Sequence, residues 1–586
     1  MKTILKTTKR ISPKAFIIVA FILVSITCVL LYSIKFSSIP TLKPIVFTLD
    51  EQLALPKCSL AGGFYKSPII VSLSSAYPDL EVYYTLDGTE PTSKSIKYNS
   101  PILITNQTEK PNRLSVIPTS PRWKPPIGNV FKGTILRAIS VDKNKLKSSE
   151  LIRSFFVDEK GSQRYTFPVV SITVNEKDLF GYEKGIYVLG KRFSDKDYYV
   201  QKNVPLYSPW FYYPANYTIR GENAERNGNL EFYETTGQLG FETKVGIRIN
   251  GNATRGFAQK SLRINFKEKD RAGFNYPIFP NNQITKFNSI ILRNSGNDWD
   301  KTLFRDAFMQ SLIKSTHVDL QDFRPSIVFV NGEYWGIHNI RERQDEYYLA
   351  NKYNLNPDSI TILELTNSLK RGQMKSRAMF TELLQFLKKE DLSNDKNYEY
   401  IISKIDIESF IDFVIANVYF CNSDWPDNNV KFWKADSRKF DENSVAKDGK
   451  WRWMLYDTDW GFGYTSKNGY NIDLLNNATI VGSVGVIFSS LLKNKSFATK
   501  FTSTFENYLN TIFKTEFVLK RIDEFEKLYS PEMAENINRW RVVGDMKKWK
   551  ENVEELREFA KKRPSIQITQ LNNFLKLSGN ERITLK

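Results

Sequence analysis

The sequence predicts an α+β protein with a strand-rich lobe followed by a helical one. A small all-β immunoglobulin-like sandwich and an N-terminal transmembrane helix precede these lobes. Three observations carry this reading. Alternating apolar runs (FPVVSITV, NLEFYE, KVGIRIN, KSLRINF, NSIILR, SIVFVNGEYWGIHNI) crowd the middle of the chain, whereas helical periodicity dominates around 378–390, 407–420 and from 489 onward. Strands first and helices later argue for segregated α+β architecture. Ahead of them, PIIVSLSS, VYYTLDG, PILIT, TILRAISVD and LIRSFFVD are short β-rich runs parted by Pro, Gly, Asn and Asp, as in a small antiparallel sandwich. Residues 15–34 form an uncharged run, long enough to span a bilayer as a helix.

In chain order, residues 1–14 are a basic tail carrying Lys2, Lys6, Lys9, Arg10 and Lys14. This flank stays in the cytoplasm, so the 15–34 span makes a single-pass cell-membrane protein whose later domains are extracytoplasmic. A cleavable signal peptide fits less well, because the apolar run exceeds a usual signal core and no small-x-small site follows. Residues 35–55 are a linker, 56–158 the sandwich, and 163–580 one long mixed unit. The sandwich reads either as a polysaccharide-binding module or as a stalk, and the stalk is preferred because no aromatic platform is evident in the sequence.

At 586 residues and 68.0 kDa the chain exceeds a single typical core. With 41% hydrophobic and 14% aromatic residues it is globular rather than disordered. The net charge of +19 is spread along the length without a dense basic stripe, which argues against nucleic acid as a partner. Only three cysteines and two histidines occur, so a disulfide framework and a Cys/His zinc site are excluded.

Two clusters of acid and amide side chains then stand out, NSDWPDNNVKFWK and WRWMLYDTDWGFG. Asp424, Asp427, Asn428 and Asn429 follow the apolar run IDFVIANVYF, while Asp457 and Asp459 follow the strand-like WRWMLY. Alternation would point Asp457 and Asp459 at one cation. Asp and Asn supply the hard oxygens that Mg²⁺ takes alongside substrate phosphates. The five-residue step from Asp424 to Asn429, followed by a strand-end Asp457 before Gly461-Phe462-Gly463, is the spacing of a phosphoryl-transfer site.

Three further segments feed that site. VGIRINGNATRGFAQKSLRINF reads as a hairpin whose tip carries Thr254 and Arg255, with Lys260 on the second strand. NGEYWGIHNIRERQDEYYL leads into a charged helix start in which Glu342 is placed to pair with Lys260. LRNSGNDWDKTLFRDAFMQSL reads as structural, with Asn297 and Asp298 capping a helix that holds an Arg305–Asp306 pair.

These segments, taken in chain order over roughly 167–545, resemble the CotH (spore-coat protein H) kinase family. GGFYKSP, YYTLDGTEPT, YNSPILI and ILRAISVD resemble the chitobiase/β-hexosaminidase C-terminal-type module, an accessory sandwich. The first resemblance implies an atypical protein-kinase-like fold that transfers the γ-phosphoryl of ATP to Ser residues of coat or envelope proteins, with Mg²⁺ or Mn²⁺. It implies Asp424 as the catalytic acid, Lys260 and Glu342 as its catalytic ion pair, and Arg255, Thr254, Lys260 and Asn429 as nucleotide contacts. Asp457 and Asn429 are the implied metal ligands, and strand alternation adds Asp459 as a metal candidate, while Asp459 also reads as a strand-end hydrogen bond and Asp427 and Asn428 as turn caps. The hairpin tip departs from the family's Gly-Gly-x-Ser-Arg, reading Gly251-Asn252-Ala253-Thr254-Arg255. A non-catalytic surface scaffold binding envelope components is the alternative, and glycoside hydrolysis ranks last because no sugar-stacking cleft is marked.

Overall fold

Seven strands close into a barrel because their alternate apolar side chains need a common interior. In the computed structural model they are β1 (Val169–Val174), β2 (Arg226–Tyr233), β3 (Leu239–Ile249), β4 (Leu262–Phe266), β5 (Ser289–Arg293), β6 (Phe323–Val330) and β7 (Glu333–Glu342). Round the barrel the order is β1-β2-β3-β4-β5-β7-β6, antiparallel except where β6 runs parallel to β1 and closes the ring. Ile247 faces Ile264, and Ile264 faces Ile290, so one parity of each strand fills the interior. The structure describes residues 53–195, 213–267, 274–436, 441, 444, 446–577 and 582–585. The tail 1–14, the span 15–34 and nearly all of the 35–55 linker lie outside the described residues. Among those described, no helix is long and apolar enough to cross a membrane.

The helical half is built on α1 (Arg305–Leu312), α2 (Glu346–Tyr353), α3 (Met374–Lys389), α4 (Ile407–Phe420), α5 (Lys495–Asn510), α6 (Thr515–Trp540) and α7 (Met546–Phe574), with shorter helices between them. A four-stranded sheet, β8 (Ile360–Glu364), β9 (Ser368–Arg371), β10 (Lys431–Ala435) and β11 (Arg452–Met454), runs in the order β9-β8-β10-β11. α4 is apolar on all sides and every residue but Glu408 is buried, which makes it the axis of this half. Its N-terminus is capped by the Asp406 side chain, and Cys421, at φ 51°, ends it and turns the chain into the Asn422–Asn429 loop. α6 joins the halves: its Asn536 side chain accepts the Ile337 N–H at 2.9 Å, and Trp540 donates to the Trp335 carbonyl. Gly336 has φ +92° and a Cβ there would meet Asn536 Oδ1 at 2.6 Å, so only glycine admits this crossing.

The N-terminal module is β-rich, as expected, but it does not stand apart as a stalk. Its main sheet orders Gly63–Tyr65, Leu151–Val157, Thr134–Val141, Glu81–Thr85 and Ile96–Lys97, with Ile69–Val71 paired to Ile102–Ile104 alongside. The Thr134–Val141 strand is buried throughout. Leu136 and Ala138 fill the module's own core, whereas Phe131 and Phe156 join the core that contains Tyr165, Tyr233 and Phe329 of the barrel side. Gly133 N–H donates to Gly332 O at 2.8 Å, and the Glu333 carboxylate collects the backbone N–H groups of Arg113, Leu114 and Ser115.

Glu231 seals this junction, accepting from Ser154 N at 3.1 Å and Tyr233 Oη at 2.8 Å. Burial pushes its carboxyl up to about 7. Because the folded value is raised above the ordinary 4.5, stability is fully present below the latter and is lost as pH rises through about 7. Denaturant titrations between pH 5 and 7.5 should show a loss of about 3 kcal/mol, and Glu231→Gln should flatten that slope.

Candidate active site

The Asn422–Asn429 loop and the segment after β11 meet edge to edge, and their acids and amides interlock. Asp424 Oδ2 accepts from Asn429 Nδ2 at 2.9 Å, and the same amide reaches the Asp457 carbonyl at 3.2 Å. Asn428, expected to cap a turn, instead donates to Asp424 Oδ1 at 2.9 Å. Asp427 is exposed. Asn429 and Asp457 both take left-handed backbone, φ 59° and 55°. Asp and Asn tolerate that region best, yet strain of this kind gathers at functional sites. Burial, and then the Asp457 charge, push the Asp424 carboxyl above its ordinary value despite the Asn428 and Asn429 hydrogen bonds.

Asp457 and Asp459 do converge on one cation, and that cation is Arg293. Its Nη2 donates to Asp457 Oδ1 at 2.6 Å and Asp459 Oδ2 at 2.7 Å, joining β5 to the end of the helical half's sheet. Asp459 is 1% exposed and also accepts Asn297 N–H at 2.8 Å, so it anchors rather than ligates. Burial and the neighbouring Asp457 push its carboxyl up. Gly296 (φ +63°) lies against this bridge, where a Cβ would come within 2.0 Å of Asp459 Oδ2. Asp457, by contrast, leaves 38% of its side chain exposed.

Both residues read as a structural pair on α1 instead fix this segment separately. Arg305 pairs with Asp298 at 2.9 Å, both fully buried, and its Nη1 holds the Phe462 carbonyl at 2.6 Å. Asp306 pairs with Arg341 at 2.7 Å, and its Oδ1 accepts both N–H and Oγ1–H of Thr458 at 2.9 Å, between the two key acids. Against the cost of burial, Arg341 and Arg293 hold the Asp306 carboxyl far below the usual range. Phe304 holds the position before the helix without capping it, and Asp298, as expected, reaches the helix start, accepting from Arg305 N at 3.1 Å, whereas Asn297 does not.

The expected phosphate-binding residues lie elsewhere. Lys260 is fully buried, and its Nζ gives all three hydrogens to the carbonyls of Thr119, Arg255 and Phe257 at 2.6–2.9 Å. Burial, with Arg255 beside it, drives its pKa well down. Arg255 is buried too and donates to the carbonyls of Gly251, Tyr217, Ile219 and Ile249. Thr254 sits half-buried in the 3-10 turn Ala253–Gly256. The expected Lys260–Glu342 pair is absent. Glu342 ends β7 rather than starting a helix, accepts from Asn282 Nδ2 and Asp322 N, and lines a cavity of about 580 Å³ with Gln310 and Lys352. Burial pushes its carboxyl up to about 7. Lys260→Met should therefore cost about 2–3 kcal/mol of stability by stranding buried carbonyls, while calorimetry on the folded variant finds nucleotide affinity unchanged.

Strand parity carried the missing signal. Lys260 falls in step with Leu262 and Ile264, which fill the barrel, whereas Arg293 is out of step with Ile290 and Leu292 and points outward.

The donor set fits a hard divalent cation at Asp457 and Asn429. Asn429 Oδ1 and the second Asp457 oxygen carry no hydrogen bond among the described residues. Among the described residues no group of three or more His, Cys, Asp or Glu is arranged as a metal cage. Mg²⁺ is compatible with that, because it takes one or two carboxylates and completes its shell with water and substrate phosphates.

No curated protein matches the chain. A model described as chitobiase/beta-hexosaminidase C-terminal domain matches residues 60–110, within the β-rich module. A model described as CotH kinase protein matches residues 247–566, from β3 through most of α7 and across every acid of the site. That match covers more than half of the 586 residues, and the chain therefore belongs to the CotH kinase protein family.

Proposed function

We propose that this protein is an atypical, membrane-anchored, extracytoplasmic kinase, its strand-rich and helical lobes flanking a site that transfers the γ-phosphoryl of ATP to Ser residues of coat or envelope proteins. The observation that carries the reading is the interlocked set of Asp424, Asn429 and Asp457, held by hydrogen bonds of 2.9 and 3.2 Å. Phosphoryl transfer asks a protein chiefly for positioning and charge. Asp424 orients the acceptor hydroxyl and takes its proton, a role helped by a carboxylate of raised proton affinity. Asn429 fixes Asp424 with its amide and turns its carbonyl toward the metal position. Asp457 is the principal ligand, and Arg293 fixes its carboxylate from β5. The divalent ion, Mg²⁺ or Mn²⁺, neutralises phosphate charge when bound. The apolar 15–34 run supplies the membrane anchor in this reading.

The test is label transfer from γ-labelled ATP, with Mg²⁺ or Mn²⁺, to the full-length chain itself and to a Ser-rich peptide. Asp424→Asn should lower kcat about a hundredfold with ATP affinity retained. Equal transfer by both proteins would sink the assignment of Asp424. No transfer and no nucleotide binding by either would favour a surface scaffold.

A further inference from the structure

The outer face of β3, β4 and β5 bears a row of arginines beside the acid cluster. Arg248 stands opposite Arg263, and Arg263 opposite Ile291, two residues before Arg293 on the same face. Arg263 is thus a diagonal neighbour of Arg293, roughly 7–8 Å along the sheet. From the other side, Lys431 Nζ lies 4.1 Å from the centre of the Tyr456 ring, next in sequence to Asp457, and the Arg343 charge acts on both Lys431 and Arg263. A cationic strip therefore leads from the acids to Arg263.

Every other member of this strip has its own carboxylate. Arg293 holds Asp457 and Asp459, Arg248 holds Glu225, Arg343 holds Asp345 and Lys431 holds Glu364. Arg263 holds none among the described residues. Its Nε donates to Asn265 Oδ1 at 2.7 Å, and Asn265 passes its own amide to Glu225, so that carboxylate is one residue removed. Neither Nη group has a hydrogen-bond or ion-pair partner among the described residues. Burial first, then the like charges of Arg343 and Arg248, push the guanidinium down to about 10, against the attraction of Asp345 and Glu225. A half-buried cation pressed against others costs the fold stability, and that cost is relieved only when an anion joins it. The fork of two free Nη groups matches phosphate oxygens.

We propose that Arg263 is the anion anchor of this site, binding phosphate oxygens of the nucleotide in the role for which Lys260 and Arg255 are unsuited. The proposal rests on the kinase reading above. Its test uses the full-length chain and two probes, inorganic tripolyphosphate and ATP, in calorimetry and thermal melting. Wild type is compared with Arg263→Gln, Arg263→Lys and, as a control on the N-terminal module, Lys97→Gln. Arg263→Gln should bind both probes at least about tenfold more weakly, with Arg263→Lys intermediate and Lys97→Gln unchanged. Without ligand, Arg263→Gln should also melt a few degrees higher than wild type, because a like-charge contact is gone. A variant that melts lower or fails to fold, or that binds both probes as wild type does, overturns the anchor. If wild type binds ATP and the variant binds it equally, the kinase reading survives alone. Failure of wild type to bind either probe overturns both.

Discussion

Asp457→Ala should reduce phosphoryl transfer roughly a thousandfold or more, the largest functional loss expected of any single substitution in this chain. Asp457 is the acid that combines partial exposure, at 38%, with a carboxylate oxygen lacking any protein hydrogen bond among the described residues. Under the proposed kinase reading, its loss removes the principal metal ligand at the point where phosphate charge is neutralised. The fold should survive, because Arg293 keeps Asp459 at 2.7 Å and Thr458 stays pinned to Asp306. Melting temperature should therefore move little while transfer disappears. Chelation of divalent ions from the wild type should reproduce the loss, and readdition should reverse it. Undiminished transfer by a folded Asp457→Ala protein would place the metal centre elsewhere.

Asp298→Ala should be the most damaging substitution for stability, costing about 3–5 kcal/mol. Asp298 and Arg305 are both fully buried, and Asp298 also accepts from Arg305 N at 3.1 Å and from the Thr302 hydroxyl. Truncation leaves a buried guanidinium uncompensated, which costs far more than the pair contributes. The damage should spread to the site, since Arg305 also holds the Gly461 and Phe462 carbonyls just after Asp459. Urea denaturation at constant slope measures the loss. Replacing both partners, as Asp298→Leu with Arg305→Met, should recover part of it because no charge remains buried. A loss below about 1 kcal/mol for the single variant would contradict the pairing.

Asp306 shows how much of the site was legible and how much was not. Its place on a helix after Asn297 and Asp298 followed from pattern, and α1 is there. Its partners did not follow, because Arg341 and Thr458 come from β7 and from the segment after β11. The same division holds for the N-terminal module. Its strands were readable from alternation and turn residues. Its docking onto the barrel was not foreseen, although TILRAISV, apolar or small on both faces except for Arg137, carried the hint of a strand covered twice.

The sequence by itself determined the seven alternating strands, the buried α4 and the acids that follow it, because period and composition act locally and survive any tertiary arrangement. It also determined that Asp424, Asn429 and Asp457 would lie at element ends, where short polar side chains stop helices and strands. Only the tertiary structure decided which cation holds Asp457. That choice depends on which strand parity faces the barrel interior and on a contact between residues 164 apart, Arg293 and Asp457. Lys260 lost the role because its side chain points inward, where burial made three carbonyls its best partners.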